Sequence, residues 1–341
     1  MRDTLLQNRK VPLYERKVAL NERKVALYER KVPLEHPQVS VVVPVYNGGD
    51  TIAACIDSIL ANTAVRVEVC VVDDGSTDGT AGICDHYAAQ DGVCVVHQPN
   101  RGRSAARWAG VERCRGEWVT FVDADDTLPA NALALLLAKA SDDVDIVLGN
   151  GHLLTSDQRT LIPMPDFRHL AVRGYGTIGV PWGSLYRRSL LTPYVFDLPR
   201  DIFNGEDYIF WLRMVFATQK PVAIVRESVY IKGADHTSNS FVWTADYSYR
   251  LNELRKASIP DDCRQLFMAD MLSDRITNLF AVAVSCRKND WASSTFYNDI
   301  LSDMKACGTG FTAKQSLFLH LPARWLRRLY SWGSNWISKM K

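Results

Sequence analysis

Three carboxylates, Asp123, Asp125 and Asp126, follow directly on a short apolar run, residues 118–122. Because side chains alternate along a strand, Asp123 and Asp125 are predicted to lie on the same side of the chain and to bind one cation. Hard divalent cations prefer carboxylate oxygens, and a cation would relieve the repulsion between the acids. The alternative is a solvated acidic loop in which Asp126 or Thr127 caps the next helix.

A second acidic pair, Asp73 and Asp74, stands where another apolar run, residues 67–72, meets Gly75. A carboxylate in this position can accept hydrogen bonds from a base or a ribose, and the glycine lets the backbone approach closely. The alternative is an Asx turn around Asp74. The G-x-G-x-x-G fingerprint of dinucleotide binders is absent, which argues against an NAD-dependent dehydrogenase.

Three arginines, Arg101, Arg103 and Arg107, precede or begin a predicted helix between these two acidic segments. Guanidinium groups can neutralise phosphates and bind them through two hydrogen bonds. A solvated arginine face is the alternative interpretation of the same residues.

These residues must be positioned by alternating strands and helices. The apolar runs predict five strands, at residues 39–45, 67–72, 93–97, 118–122 and 145–148. Helical patterns separate them about every 25 residues, which predicts an α/β fold with a doubly wound, mainly parallel sheet. Ligands of such sheets bind at the carboxyl ends of the strands, where both acidic pairs stand.

The alternation ends near residue 150. Residues 150–205 are predicted to form loops with short elements, followed by a helix at 206–218 and a strand at 222–225. Only helical patterns follow after about residue 245. The predicted organisation is therefore an extension at 1–37, an α/β domain at 38–245 and a helical region at 246–341.

The two ends of the chain carry unusual patterns. Residues 9–35 repeat a seven-residue unit, which predicts a solvated helical or disordered extension, with a weak coiled coil as the alternative. Residues 311–341 hold six Lys or Arg and no acid, with tryptophans at helical spacing. A basic amphipathic helix of this kind suits a membrane surface, and a helix packed on the domain is the alternative.

Composition narrows the class of protein. The chain has 341 residues, of which 47% are apolar and 23% charged, and its net charge of +2 gives no reason to expect nucleic acid as a partner. The eight cysteines include no C-x-x-C pair, and several lie in apolar runs, which is typical of reduced thiols in a cytoplasmic protein. No apolar stretch long enough for a transmembrane helix is present.

The motifs taken together, and in this order, closely resemble the family 2 glycosyltransferases, which have the GT-A fold. The resemblance is to bacterial members that build capsule, exopolysaccharide or lipopolysaccharide glycans. It covers roughly residues 39–240, and the segments that carry it are V-S-V-V-V-P-V-Y-N (39–47), V-V-D-D-G-S-T-D-G-T (71–80), N-R-G-R-S-A-A-R (100–107), F-V-D-A-D-D (121–126), P-W-G-S-L-Y-R-R (181–188) and G-E-D (205–207).

The resemblance implies a role for each candidate residue. It places Pro44, Tyr46, Asp73 and Asp74 in the nucleotide pocket. Asp123 and Asp125 would form the D-x-D that holds Mg²⁺ or Mn²⁺ against the donor diphosphate, with Arg107 also among the nucleotide-sugar contacts. Asp207 would be the general base. One base without a covalent nucleophile implies inversion at the anomeric carbon.

Two positions depart from the family pattern. Trp108 stands where many relatives have Asn, and Ser184 replaces a frequent Lys. Both put the identity of the acceptor in doubt, while neither belongs to the predicted metal or base positions. His236 is a weak candidate for a diphosphate or metal contact.

The sequence thus predicts a metal-dependent hexosyltransferase that moves a sugar from a nucleotide-sugar donor, UDP-linked, to a glycan or lipid-linked acceptor. It would act in the cytoplasm at the inner face of the cell membrane. Two other classes compete with this prediction. A nucleotidyltransferase would have a glycine- and lysine-rich loop after the first strand, and the sequence has none. A catalytically inactive sugar-nucleotide-binding scaffold is disfavoured by the intact Asp125 and Asp207.

Overall fold

The computed structural model describes residues 36–150, 154, 157–174, 179–233, 242–286, 289–321 and 327. The seven-residue repeat, His236 and most of the tryptophan-rich terminus lie outside these residues. No helix in the described ranges is long and apolar enough to cross a bilayer.

The described part of the chain forms an eight-stranded sheet in the order β3-β2-β1-β4-β7-β5-β8-β6. Strands β1, β2, β3 and β4 pair in parallel, as do β5 and β8, whereas β7 and β6 run antiparallel to their neighbours. The strands are β1 (Val39–Val45), β2 (Val67–Asp73), β3 (Val93–His97), β4 (Trp118–Phe121), β5 (Ile146–Leu148), β6 (Leu161–Ile162), β7 (Ser184–Arg187) and β8 (Val222–Ile224).

Helices lie on both faces of this sheet and continue beyond it. They are α1 (Ile52–Leu60), α2 (Thr80–Tyr87), α3 (Arg103–Val111), α4 (Ala132–Leu137), α5 (Met164–Val172), α6 (Pro193–Phe196), α7 (Glu206–Phe216), α8 (Ala245–Ala257), α9 (Met268–Ser285), α10 (Thr295–Ala306) and α11 (Ala313–His320). Helices α1, α2 and α4 share a core cluster with one face, and α3, α5, α6 and α7 share another with the opposite face. The predicted doubly wound, mainly parallel sheet with a helical C-terminal region is confirmed.

Strand β1 lies at the centre of the parallel half and is buried throughout. Its Pro44 lacks an amide hydrogen, which would break a ladder in most central strands. Here β4 pairs only with the first four residues of β1, Val39 to Val42, so the proline lies beyond the end of that ladder. The strand therefore keeps both neighbours while its end opens towards the cleft described below.

Strand β7 was not predicted, because the sequence analysis assigned residues 150–205 to loops with short elements. Instead, β7 joins the two halves of the sheet, pairing antiparallel with β4 on one edge and β5 on the other. The helix that follows the acids after β4 spans Ala132–Leu137, and its N-cap is Asn131. The alternative helix cap at Asp126 or Thr127 is therefore wrong.

Cys55, Cys70, Cys84 and Cys114 are buried in the core, as expected for thiols that act as small core residues.

Candidate active site

A cleft of about 1290 Å³ opens at the carboxyl ends of β1, β2 and β4. One wall is built by the strand ends and the loops that follow them. A second wall is built by the segment from α6 to the start of α7, residues 193–206. The cleft lies where open α/β sheets bind ligands, as the sequence predicted.

The acids after β4 occupy three different environments. Asp125 is exposed in the cleft, and within the described ranges its carboxylate has no hydrogen-bond partner. Asp123 also lines the cleft but is one-quarter exposed (24%) and bound to Arg107. Asp126 is buried and accepts hydrogen bonds from the Tyr230 hydroxyl (2.6 Å) and the Gly233 amide (2.7 Å). Asp126 therefore fixes the loop, while Asp123 and Asp125 are the pair that faces the cleft.

Asp123 and Asp125 face the same cleft for a reason other than the predicted alternation of side chains along a strand. Strand β4 ends at Phe121, and residues 123–126 form a turn in which the Asp126 amide donates to the Asp123 carbonyl at 3.0 Å. The Asp123 amide donates to the Tyr230 hydroxyl at 3.0 Å, which anchors the start of the turn. A turn, and not strand alternation, brings both carboxylates to the same cleft.

These two carboxylates fit a divalent cation that is shared with a substrate. Hard cations such as Mg²⁺ are commonly bound through one or two carboxylates together with substrate phosphates. In the described part of the chain no group of three or more His, Cys, Asp or Glu side chains is arranged around a common point. A cation at Asp123 and Asp125 would need further ligands besides these two side chains.

Asp74 holds the loop that leads into α3. Its Oδ1 accepts hydrogen bonds from Gln98 Nε2 (2.7 Å) and the Arg101 amide (2.9 Å), and its Oδ2 accepts one from the Gly102 amide (2.8 Å). Asp74 lines the cleft, as do Pro44, which is buried, and Tyr46, which is half exposed. The structure thus brings these three residues of the predicted nucleotide pocket to one wall.

Asp73 does not line the cleft, in contrast to its neighbour. It is buried, with Oδ1 accepting from the Ser76 amide (3.0 Å) and Oδ2 bonded to His97 Nδ1 (2.8 Å). Burial opposes ionisation, but the hydrogen bonds from His97 and Ser76 outweigh it, so the pKa of Asp73 is lowered. The ionised Asp73 positions the end of β2 behind the pocket.

Arg107 connects Asp123, which follows β4, with Asp207, at the start of α7, from behind the cleft. Its side chain is only 2% exposed, and it bonds Asp207 Oδ1 through Nη1 (2.5 Å) and Asp123 Oδ1 through Nη2 (3.1 Å). Burial opposes the charge, but the two carboxylates outweigh it and raise the pKa of Arg107. Both guanidinium ends are therefore committed to carboxylates. A contact between Arg107 and a phosphate stays a prediction. In this geometry Arg107 positions Asp123 and Asp207.

The two acids at the start of α7 differ in their surroundings. Glu206 lines the cleft and pairs with Arg103 at 3.1 Å, although it is itself buried. Burial, and then the charge of Asp207, raise the pKa of Glu206 to about 7. Asp207 is not among the cleft-lining residues and is 19% exposed beside Arg107. The sequence analysis named only Asp207 as a catalytic residue. Two features of the sequence could have indicated the Arg103–Glu206 pair: the acid next to Asp207 and the three arginines at 101, 103 and 107.

The two departures from the family pattern lie in different places. Trp108 lines the cleft and packs against Phe196, with ring centroids 5.7 Å apart. Ser184 is buried on β7, and its hydroxyl accepts a hydrogen bond from the Gly149 amide at 3.4 Å. Only Trp108 is therefore placed to contact a ligand.

A family model described as Glycosyl transferase family 2 matches residues 40–192 of this chain. A putative glycosyltransferase of Bacillus subtilis, EpsH, is 32% identical over 209 residues, which cover 58% of this chain and 60% of EpsH. The chain therefore spans about three fifths of the length of that relative.

Two solved structures share the fold. S. aureus TarS 1-349 in complex with UDP is 18% identical with a TM-score of 0.55, covering 87% of this chain and 92% of TarS 1-349. The mannosyltransferase PcManGT from Pyrobaculum calidifontis, in complex with GDP-Man and Mn²⁺, is 18% identical with a TM-score of 0.51. The match covers 93% of this chain and 94% of PcManGT.

Proposed function

We propose that this protein is an inverting, metal-dependent glycosyltransferase. It moves a sugar from a nucleotide-sugar donor, UDP-linked, to a hydroxyl of a glycan or lipid-linked acceptor in cell-surface polysaccharide synthesis. The observation that carries the proposal is one cleft lined by Asp123, Asp125 and Glu206, with Asp207 next to Glu206 in the chain and bonded to the same arginine as Asp123. Such an arrangement can hold a diphosphate and accept a proton from an attacking hydroxyl.

The nucleotide is assigned to the wall at the ends of β1 and β2. Tyr46 offers an exposed ring for stacking on the base, and Pro44 offers an apolar surface beside it. Both oxygens of Asp74 already accept hydrogen bonds, so Asp74 acts by fixing the loop at residues 98–102 around the nucleotide. The UDP complex of TarS, a protein of the same fold, supports a uridine nucleotide here.

Asp125, with Asp123, would hold Mg²⁺ or Mn²⁺ against the donor diphosphate. A divalent cation there supplies Lewis-acid stabilisation of the charge that develops on the leaving diphosphate. The Mn²⁺ in the PcManGT complex supports a divalent cation in this fold. The protein's own part is to keep the Asp125 carboxylate unpaired and aimed into the cleft, while Asp126 and Tyr230 fix the turn that carries it.

The acceptor oxygen attacks the anomeric carbon as its bond to the diphosphate breaks, and the hydroxyl proton passes to a carboxylate at the start of α7. Asp207 is the base that we propose, with Arg107 holding its Oδ1 and leaving Oδ2 as the acceptor. Glu206 is the second candidate, because it lines the cleft and its pKa of about 7 suits a base at neutral pH. A single displacement of this kind inverts the anomeric carbon.

The test is a screen of nucleotide sugars for nucleoside-diphosphate release by the full chain, with and without Mn²⁺. We expect release from a UDP-sugar that depends on the metal, even when water is the only acceptor. Absence of metal-dependent release from every UDP-, GDP- and CMP-linked sugar would overturn the proposed activity.

A further inference from the structure

Three aromatic side chains in the described part of the chain are largely exposed: Tyr46 (52%), Tyr194 (53%) and Phe203 (61%). All three line the same cleft. Exposed large apolar side chains that gather at one site mark ligand or partner surfaces, whereas scattered ones need no explanation. Tyr46 belongs to the nucleotide wall, whereas Tyr194 and Phe203 lie on the wall of residues 193–206.

Tyr194 is held in place although its ring is exposed. The Arg213 guanidinium lies over the ring, 4.4 Å from its centroid. The same guanidinium donates hydrogen bonds to the backbone carbonyls of Tyr194 and Asp197, at 2.9 Å for Asp197. Because one ring face is covered by a cation that also fixes the backbone, the ring keeps its orientation and leaves the other side for a ligand.

Phe203 is supported in a similar way. Its ring contacts Tyr247 edge to face, with centroids 6.1 Å apart, and its amide donates to the Tyr247 hydroxyl at 3.2 Å. The Asn204 amide donates to the same hydroxyl at 2.9 Å. Two exposed rings fixed from behind lose little conformational freedom when a ligand binds, which is how preorganised sites gain affinity.

Polar groups line the same cleft as the two rings. Glu206 and Asp197 can accept hydrogen bonds, and Arg103 and Arg200 can donate them; all four line the cleft. Flat apolar surface edged by such groups matches a pyranose ring, which has an apolar C–H face and hydroxyls around its edge. The cleft lining contains seven carboxylates and three guanidinium groups, so its charge disfavours an acceptor that is itself strongly anionic.

We propose that Tyr194 and Phe203 form the acceptor subsite, on which the sugar rings of a neutral glycan stack. The inference rests on the proposed function, because inversion requires the acceptor to approach from the side opposite the leaving diphosphate. The part of the cleft lining that lies outside the strand ends and their loops is the segment 193–206, so the proposal places the acceptor there. The acceptor is thereby a glycan that presents a terminal pyranose, and Tyr194 and Phe203 select it.

The experiment uses the full chain, with UDP and Mn²⁺ present, on an array of neutral and anionic glycans. Wild-type protein is compared with Tyr194→Ala, Phe203→Ala and the ring-conserving Tyr194→Phe. Leu266→Ala, which removes a side chain that is 72% exposed outside the cleft, is the control. We expect wild-type protein, Tyr194→Phe and Leu266→Ala to bind neutral glycans, and each ring-to-alanine variant to bind about tenfold more weakly, as for a binding hot spot.

Affinities for UDP and for the UDP-sugar that the wild-type protein hydrolyses separate the acceptor from the donor sugar. If stacking serves the acceptor, the alanine variants bind both nucleotides as wild-type protein does. A selective loss of affinity for the UDP-sugar would assign the rings to the donor sugar and overturn the proposal. So would equal glycan binding by the alanine variants, binding of anionic glycans only, or no glycan binding by wild-type protein. Failure of the proposed function would appear separately, as absence of donor hydrolysis in wild-type protein.

Discussion

At the scale of single residues, the adjacent acids Glu206 and Asp207 divide two requirements of a general base between them. Glu206 faces the cleft and has a pKa of about 7, whereas Asp207 is fixed by the buried Arg107 at 2.5 Å. A base must be both correctly positioned and able to accept a proton at the working pH. Substitution of each acid by its amide separates the two roles.

We expect Asp207→Asn to lower turnover by roughly 10²-fold or more, the range for loss of a general base, because the amide keeps the shape but cannot accept the proton. UDP affinity should change little, since the nucleotide wall is built at the ends of β1 and β2, whereas Asp207 lies in the first turn of α7. Glu206→Gln is the matched comparison, measured in the same transfer and titration assays. Near-normal turnover in Asp207→Asn with a large loss in Glu206→Gln would move the base to Glu206.

The raised pKa of Glu206 also predicts how stability depends on pH. The pKa of Glu206 is about 7 in the folded protein and ordinarily 4.5, so the folded protein binds the carboxyl proton more tightly than the unfolded chain does. The resulting stabilisation of the folded state is complete below about pH 4.5. It is lost as pH rises through 7, where the buried carboxylate must ionise beside Asp207. The melting temperature of Glu206→Gln relative to wild-type protein should therefore rise between pH 5 and pH 8. A difference that is constant over this range would contradict the shifted pKa.

Residue roles were only partly predictable from the sequence. The position of Asp125 in the cleft was expected, because an acid that follows a buried strand lies at the carboxyl end of the sheet, where such sheets bind ligands. The sequence could not show that Arg107 is turned inward, since its partners Asp123 and Asp207 lie 16 and 100 residues away. It also could not distinguish Asp73 from Asp74, whose opposite orientations depend on His97 from the neighbouring strand.

At the scale of elements, the buried parallel strands were predictable and β7 was not. Continuous apolar runs identify β1 and β2, both buried along their whole length. Strand β7 is short and follows Gly183, whose backbone is left-handed (φ +70°), so its sequence is typical of a loop. Residues 184–187 form a strand because they lie between β4 and β5 and pair with both.

The junction of β5 with β7 depends on Gly149. A methyl group there would lie 2.0 Å from the Gly183 carbonyl oxygen and 2.4 Å from a Val229 side-chain carbon. We expect Gly149→Ala to lower the free energy of unfolding by about 1–3 kcal/mol, as for other overpacked sites. Gly82→Ala on α2 is the control, because nothing lies within 4 Å of the added methyl group. Urea unfolding measures both, and equal stability of the two variants would show that the junction can relax.

At the scale of the whole molecule, a third core cluster holds the helices after β8 together. The end of the described chain belongs to it: Phe318 is 1% exposed, Leu319 is buried, and Arg327 donates to the Ala283 carbonyl at 2.8 Å. Residues 313–320 therefore pack on the protein, as one of the two interpretations expected. Membrane contact is left as a prediction for the residues beyond Arg327.

We expect removal of residues 328–341 to weaken binding to anionic phosphatidylglycerol vesicles by at least about tenfold. The deletion removes Trp332, Trp336 and three basic residues, each of the latter contributing about 1 kcal/mol at such a surface. The melting temperature should stay the same, whereas truncation before Phe311 should lower it by removing buried Phe318 and Leu319. Vesicle sedimentation at low and high salt is the measurement. Undiminished vesicle binding by the shorter deletion would place the membrane contact elsewhere or exclude it.

The central claim, that Asp125 holds a divalent cation against a nucleoside diphosphate, is tested most directly by calorimetric titration with UDP in the presence and absence of Mn²⁺. Wild-type protein should bind UDP more tightly with the metal. Asp125→Ala should lose that increase while keeping its melting temperature, because the carboxylate is exposed and unpaired within the described chain. Asp142→Ala, which removes a fully exposed acid outside the cleft, should behave as wild-type protein. An Asp125→Ala variant whose UDP affinity still rises with Mn²⁺ as in wild-type protein would contradict the account.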